Sequence, residues 1–310
     1  MNDLTPAALA AFAEHHGLAT AAMLQRAGVG RTKRRRLLEA ELLEHVLRSV
    51  YRLAGAPDTL ESRCVALCLA HPQGFITGPT GGRLIGLRRM GNDPAVHFSV
   101  PHGSNIGPID GVVLRQTTII DRSHVQVRSD GIRMASAPRL AFDLAGDLSE
   151  LDHASVVEQI LHEKRCTVAT LGAIGRRLVH PGRRGSNLFV HTLAQRIHGG
   201  PLESHPEVVL ARQLRDRGIP VVAQLTGLVL ADGSRIRLDL AVPEVRWGIE
   251  IDGHGSHFAL EGGTSDRRRD RQCHRIGWQI ERVTPLDLAD LSTLVDELVE
   301  LYEARCRLAA

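Results

Sequence analysis

The stretch Arg235–Gly253, RIRLDLAVPEVRWGIEIDG, decides how the C-terminal third of this chain folds. Ile236, Leu238, Leu240 and Val242 form one period-2 apolar set, and Trp247, Ile249 and Ile251 form a second. Such alternation predicts two strands, each with one buried face. With Pro243-Glu244 as the turn, Val242 faces Val245, Leu238 faces Ile249 and Asp239 faces Gly248, because opposed residues of an antiparallel pair share a face. Glu250 and Asp252 then lie beside Asp239. A turn one residue longer sets Leu238 against Glu250 and destroys the agreement of the two apolar sets, so the pattern itself favours this register. Acids are depleted in strands. Ordinary solvent-facing side chains account for any one of the three, whereas the set on one face points to a ligand, and carboxylate oxygens suit a hard divalent cation.

Outward from the hairpin, a helix is expected over Glu203–Arg217, stopped by Gly218 and Pro220. Strands follow at about 220–230, 235–242 and 245–252, with Asp232-Gly233 as a hairpin signal. A helix near 266–276, a strand at 278–283 and a last helix near 286–308 complete an α-β-β-β-α-β-α order. Arg267, Arg268, Arg269, Arg271 and Arg275 follow the acidic stretch directly. Arg268, Arg271 and Arg275 have the spacing of one helix face and can take phosphate contacts. The competing use is pairing with local acids, such as Arg269 with Asp266.

At the other end, residues 5–53 read as three short helices, near 5–15, 19–27 and 31–41, and a small β element over 43–53. Gly17 ends the first helix, Thr20 caps the second and Gly28-Val29-Gly30 turns into the third. This is a helix-turn-helix pattern with a wing. The third helix opens with Arg31, Lys33, Arg34, Arg35 and Arg36, and a recognition helix meets DNA through its N-terminal residues. A solvated basic face of a protein-binding module is the alternative. Between them, 58–198 mixes helices (Leu60–Ala70, Pro138–Ala145, Glu150–Glu163) with strands (Val96–Val100, Gly111–Gln116, Val125–Val127) and reads as a scaffold. Gly78-Pro79-Thr80-Gly81-Gly82 lacks the GK[ST] of a phosphate loop. No nucleophile elbow accompanies His97 and Ser99. The run His180–Asn187, HPGRRGSN, marks a flexible surface connection.

The 310 residues, 43% hydrophobic, allow about two or three domains. No apolar run approaches the roughly 18 residues of a membrane span, and the N-terminus lacks a basic start and apolar stretch, which reads as cytoplasmic. Five cysteines without a CxxC pair argue against a disulfide framework, and Cys64 and Cys68 read as buried thiols on one helix face. Net charge is only +3, so basic clusters carry the case for nucleic acid better than composition does.

Glu207 in the first helix, Asp239 on the second strand and Glu250-Ile251-Asp252 on the third resemble the PD-(D/E)XK nuclease fold. Glu250-Ile251-Asp252-Gly253, His257, Asp266, Arg269-Asp270 and Gly277-Trp278 before Arg282-Val283-Thr284 resemble the small Vsr-like endonuclease family, with Glu203-Ser204 and Glu207 matching its opening helix. The whole chain is similar to actinobacterial proteins joining such a domain to an AbiEi-type antitoxin winged helix, with Gly131-Ile132 through Arg139-Leu140 and Asp143-Leu144-Ala145 similar in the middle. The resemblance implies a multi-domain α/β protein: a winged helix over 1–57, an α/β middle region over 58–198 and a Vsr-like nuclease-fold domain over 199–310. It implies phosphodiester hydrolysis with Mg²⁺ or Mn²⁺ held by Asp239 and Glu250, completed by Glu207 or Asp252. His257 is the candidate general base and His254 the second choice. Asp252 stands where the PD-(D/E)XK pattern usually carries lysine, a departure the Vsr-like branch shares. Two functions stay open: a metal-dependent endodeoxyribonuclease acting on double-stranded DNA, and a noncatalytic regulator or antitoxin with a cognate toxin as partner. No heptad or interface signal sets the oligomeric state.

Overall fold

A computed structural model describes residues 4–199, 205–251, 269–284 and 287–309. The chain is mixed α/β and divides into two compact units: residues 1–148 with 169–187, and 149–168 with 188–310. No helix among the described residues is long and apolar enough to cross a membrane.

The first unit begins with α1 (Pro6–Ala13), β1 (Leu18–Thr20), α2 (Ala21–Arg26), α3 (Arg31–Glu39), β2 (Leu43–Leu47) and β3 (Val50–Leu53). Caps set these boundaries. The Ala8 amide donates to the Thr5 hydroxyl, with Pro6 at the first helical position, and the Met23 amide donates to the Thr20 hydroxyl at 3.1 Å. Residues 18–20 pair with β3 in an antiparallel sheet of order β1-β3-β2, so residues 19 and 20, expected at the start of the second helix, are strand instead. Ala8, Phe12, Ala19, Leu24, Val29, Leu37 and Leu43 form the core beneath it.

The chain continues through α4 (Leu60–Ala70), β4 (Phe75–Ile76), α5 (Gly78–Leu84), β5 (Val96–Pro101), β6 (Val112–Thr117), β7 (Val125–Val127), β8 (Arg133–Ala135) and α6 (Ala137–Leu144). Five strands form a mixed sheet of order β6-β5-β4-β8-β7. The GPTGG run becomes α5. Cys64 and Cys68 are buried, and burial pushes both thiols up, that of Cys68 to about 11. Helix α8 (Val168–Leu178) and the loop to residue 187 also belong to this unit.

The second unit comprises α7 (Glu150–His162), most of α9 (Ser186–Gly199), α10 (His205–Asp216), β9 (Val222–Val229), β10 (Arg235–Val242), β11 (Trp247–Ile251), helical residues 269–275 (α11), β12 (Gln279–Val283) and α12 (Leu291–Ala309). Helix α7 belongs to this unit with the later elements: Glu150 pairs with Arg212 of α10, and Ala154 packs on the same core. The sheet order is β12-β11-β10-β9, with β11 and β12 parallel and the other pairs antiparallel. Val208, Leu214, Leu240, Val242, Trp247, Ile249 and Leu298 build one apolar layer, and Leu238, Ala241, Cys273 and Trp278 build the other.

The β10–β11 hairpin corrects the register expected from the sequence. Leu240 pairs with Ile249, Ala241 with Gly248 and Val242 with Trp247. Pro243–Val245 is a 3-10 turn closed by Arg246 in the left-handed region (φ 53°), so the connection is two residues longer than Pro243-Glu244. Extended along the strands, this register sets Asp239 level with Glu250. A slip of two residues preserves every side-chain face, which is why alternation alone did not exclude it. The apolar set of β10 also divides. Ile236 and Leu238 join the layer of Cys273 and Trp278, whereas Leu240 and Val242 join that of Trp247. The strand changes face at Asp239.

Candidate functional site

Asp239 occupies this crossing because its carboxylate completes the strand ladder: the Ile251 amide donates to Asp239 Oδ2 at 2.9 Å. Beside it, the Glu250 side chain is 14% exposed and accepts from Arg269 Nη2 at 2.6 Å. The same guanidinium nitrogen donates to the Arg237 carbonyl at 2.9 Å, so α11 is pinned to β10 and β11 together. A bidentate pair, Arg282 to Asp270 at 3.0 and 3.1 Å, ties β12 to α11. Burial pushes the Glu250 carboxyl up to about 7 against the pull of Arg269, and the Asp239 charge pushes in the same direction as burial. Its titration is thereby moved from the ordinary carboxyl range toward neutral pH.

Glu207 on α10 is 6% exposed and accepts from Gln224 Nε2 at 2.7 Å. Gln224 lies on β9 at the position that the β9–β10 register sets against Asp239, and its backbone is left-handed, φ 53°. Its Oε1 is buried with no donor among the described residues. The fold therefore links the three acids in sequence, with Gln224 between Glu207 and Asp239, and Asp239 beside Glu250. No group of three His, Cys, Asp or Glu side chains among the described residues stands ready to share a metal ion. Asp252, His254, His257 and Arg268, as well as Glu203, Ser204, Asp266 and Arg267, lie outside the described residues. Sequence reasoning missed Gln224, since nothing in the order of residues announces a left-handed glutamine inside a strand. It paired Arg269 with Asp266, whereas the partner within the described residues is Glu250, brought near only by the sheet.

The basic residues differ in what they are free to do. On α11, Arg271 and Arg275 are exposed and have no ion-pair partner among the described residues. On α3, Arg34 is turned inward: its Nη1 donates to the carbonyls of Ala21 and Val29 at 3.3 and 3.0 Å, with the guanidinium 6.0 Å from the Tyr51 ring centre. Lys33 donates to the Gly28 carbonyl at 3.1 Å, and Arg35 pairs with Glu39 one turn on. Arg31 and Arg36 are exposed without a partner among the described residues. The five positions expected to meet DNA thus divide into inward struts and outward charges.

No protein-family model matches this chain, and no curated protein does. Among solved structures it is similar to the RV2827C protein from Mycobacterium tuberculosis, with 14% identity, 57% of this chain and 71% of that chain covered, and a TM-score of 0.40. So loose a superposition bears on neither the fold nor the chemistry.

Proposed function

We propose that the chain is a DNA-binding protein whose second unit hydrolyses phosphodiesters with a divalent metal. The observation that supports this reading most strongly is the Asp239–Glu250 pair, with one carboxyl raised to about 7 by burial and by its neighbour's charge. Both side chains offer hard oxygens, and a raised carboxyl beside a carboxylate is an environment that a cation relieves. Asp239 and Glu250 would hold Mg²⁺ or Mn²⁺, with Glu207 or Asp252 completing the shell. The metal supplies polarisation of a phosphoryl oxygen and a more acidic water. Gln224 fixes Glu207, and Arg269 balances the charge of Glu250. Arg271 and Arg275 present guanidinium groups to a sugar–phosphate backbone. His257 keeps its role as candidate base.

In the first unit, the α1-β1-α2-α3-β2-β3 order with its three-stranded sheet fits a winged helix. Arg31 and Arg36 are the outward residues for phosphate contact. The decisive experiment is plasmid cleavage with Mg²⁺ or Mn²⁺ by the wild type, Asp239→Ala and Glu250→Ala. Loss of cleavage in both variants is expected, and equal activity in all three would sink the site. One observation favours the second reading, a noncatalytic regulator or antitoxin: Arg269 already supplies a cation to Glu250. Operator binding without cleavage under every metal condition is its signature.

A further inference from the structure

The loop expected to be a flexible connection is fastened to the end of α6. Gly185 has φ +85°, and a Cβ there would stand 2.6 Å from the Gly146 nitrogen and 2.8 Å from the Ala145 carbonyl carbon, so only glycine permits this approach. The His180 amide donates to the Ser186 hydroxyl at 3.1 Å, and Arg183 Nη1 donates to the Leu178 carbonyl at 2.5 Å. Arg183 and Arg184 thereby wall one side of a cleft of about 390 Å³, whose other walls are β5, β6 and α6. Arg115 and Arg139 complete four guanidinium groups against two acids. Arg139 binds both oxygens of Asp143, and Asp147 takes Arg115 at 2.5 Å, with Arg184 3.8 Å from the same oxygen. Two positive charges remain in excess. Ser99 on β5, only 3% exposed, lines the cleft and makes no side-chain hydrogen bond among the described residues.

We infer that this cleft binds a small ligand through a terminal phosphate or pyrophosphate group. Guanidinium forks match phosphate oxygens in pairs, and a hydroxyl at the floor supplies a further donor. The volume falls within the range of small-molecule sites, about 300–1,000 Å³. Terminal phosphate is favoured over a duplex backbone, because Ser99 is only 3% exposed and a phosphate carrying one substituent fits a recess better than a diester flanked by sugars on both sides. Arg184 is the adjustable member: its side chain is 75% exposed, so it can close over a bound anion. The site lies wholly in the first unit and is independent of the carboxylates proposed for hydrolysis.

Calorimetric titration of the full chain with inorganic phosphate, pyrophosphate and ADP tests this. Pyrophosphate and ADP are expected to bind with a Kd of about 1 mM or tighter. Arg184→Glu should weaken both by about tenfold or more, the loss of one charge-assisted contact. Ser99→Ala should weaken them by a smaller factor, and thermal unfolding of each variant verifies that it is folded. Absence of binding by the wild type, equal affinity in folded Arg184→Glu, or displacement of pyrophosphate by a hydroxyl-ended DNA duplex would each overturn the inference.

Discussion

Replacing Glu250 by glutamine should stabilise the second unit at pH 8 far more than at pH 5. The folded carboxyl titrates at about 7 instead of its ordinary 4.5. Between those values the folded state holds a proton that the unfolded chain has lost. The stability associated with that proton is complete below 4.5 and drains away as pH rises through about 7. The full shift corresponds to about 3 kcal/mol, of which about 2 kcal/mol is lost between pH 5 and 8. Glutamine keeps the shape and never ionises. The bond from Arg269 is charge-assisted only when Glu250 is ionised, and its pull is already contained in the net shift, so the pH-dependent part of the difference reports the cost of the buried charge less that pull. Urea unfolding of both proteins at the two pH values measures it. The only two tryptophans, Trp247 and Trp278, are both buried in this unit and report its transition by fluorescence. A difference between the proteins that is the same at pH 5 and pH 8 would refute the reasoning, because Glu250 would then carry its charge at neutral pH without cost.

Gly185→Ala should destabilise the first unit by about 2 kcal/mol or more, since a left-handed backbone and a backbone clash coincide there. Thermal unfolding followed by circular dichroism reads this, and an unchanged midpoint would show that the loop yields. On α3, Arg31→Ala and Arg36→Ala should each weaken duplex binding regardless of sequence and reduce the salt slope by about one, with stability unchanged within about 0.5 kcal/mol. Arg34→Ala should instead cost about 1–2 kcal/mol of stability, because two carbonyls lose their donor. Anisotropy titrations across a salt series, set beside denaturation curves, separate struts from contacts. Equal behaviour of all three variants would contradict the division.

Local order along the chain marked many of the elements. Period-2 alternation marked β10 and β11, and glycine and threonine punctuated α1 to α3, because each signal acts over a few neighbouring residues. The same alternation put Asp239 and Glu250 on adjacent strands. It did not determine their alignment, since a two-residue slip leaves every face unchanged, and the left-handed Arg246 turn selected the register that sets these acids level. Tertiary structure also decided what surrounds them. Gln224 reaches Glu207 across 17 positions and Arg269 reaches Glu250 across 19, separations at which sequence spacing carries no geometric information. The burial that raises Glu250 to about 7 exists only in the folded unit, where sheet and helix residues distant in sequence surround the carboxyl. Likewise, HPGRRGSN reads as a loose connection because its composition is polar and glycine-rich, yet the contact of Gly185 with Ala145 and Gly146 makes it a wall. Residue types set which chemistry was available, and long-range packing set the distances and the dielectric environment on which that chemistry depends.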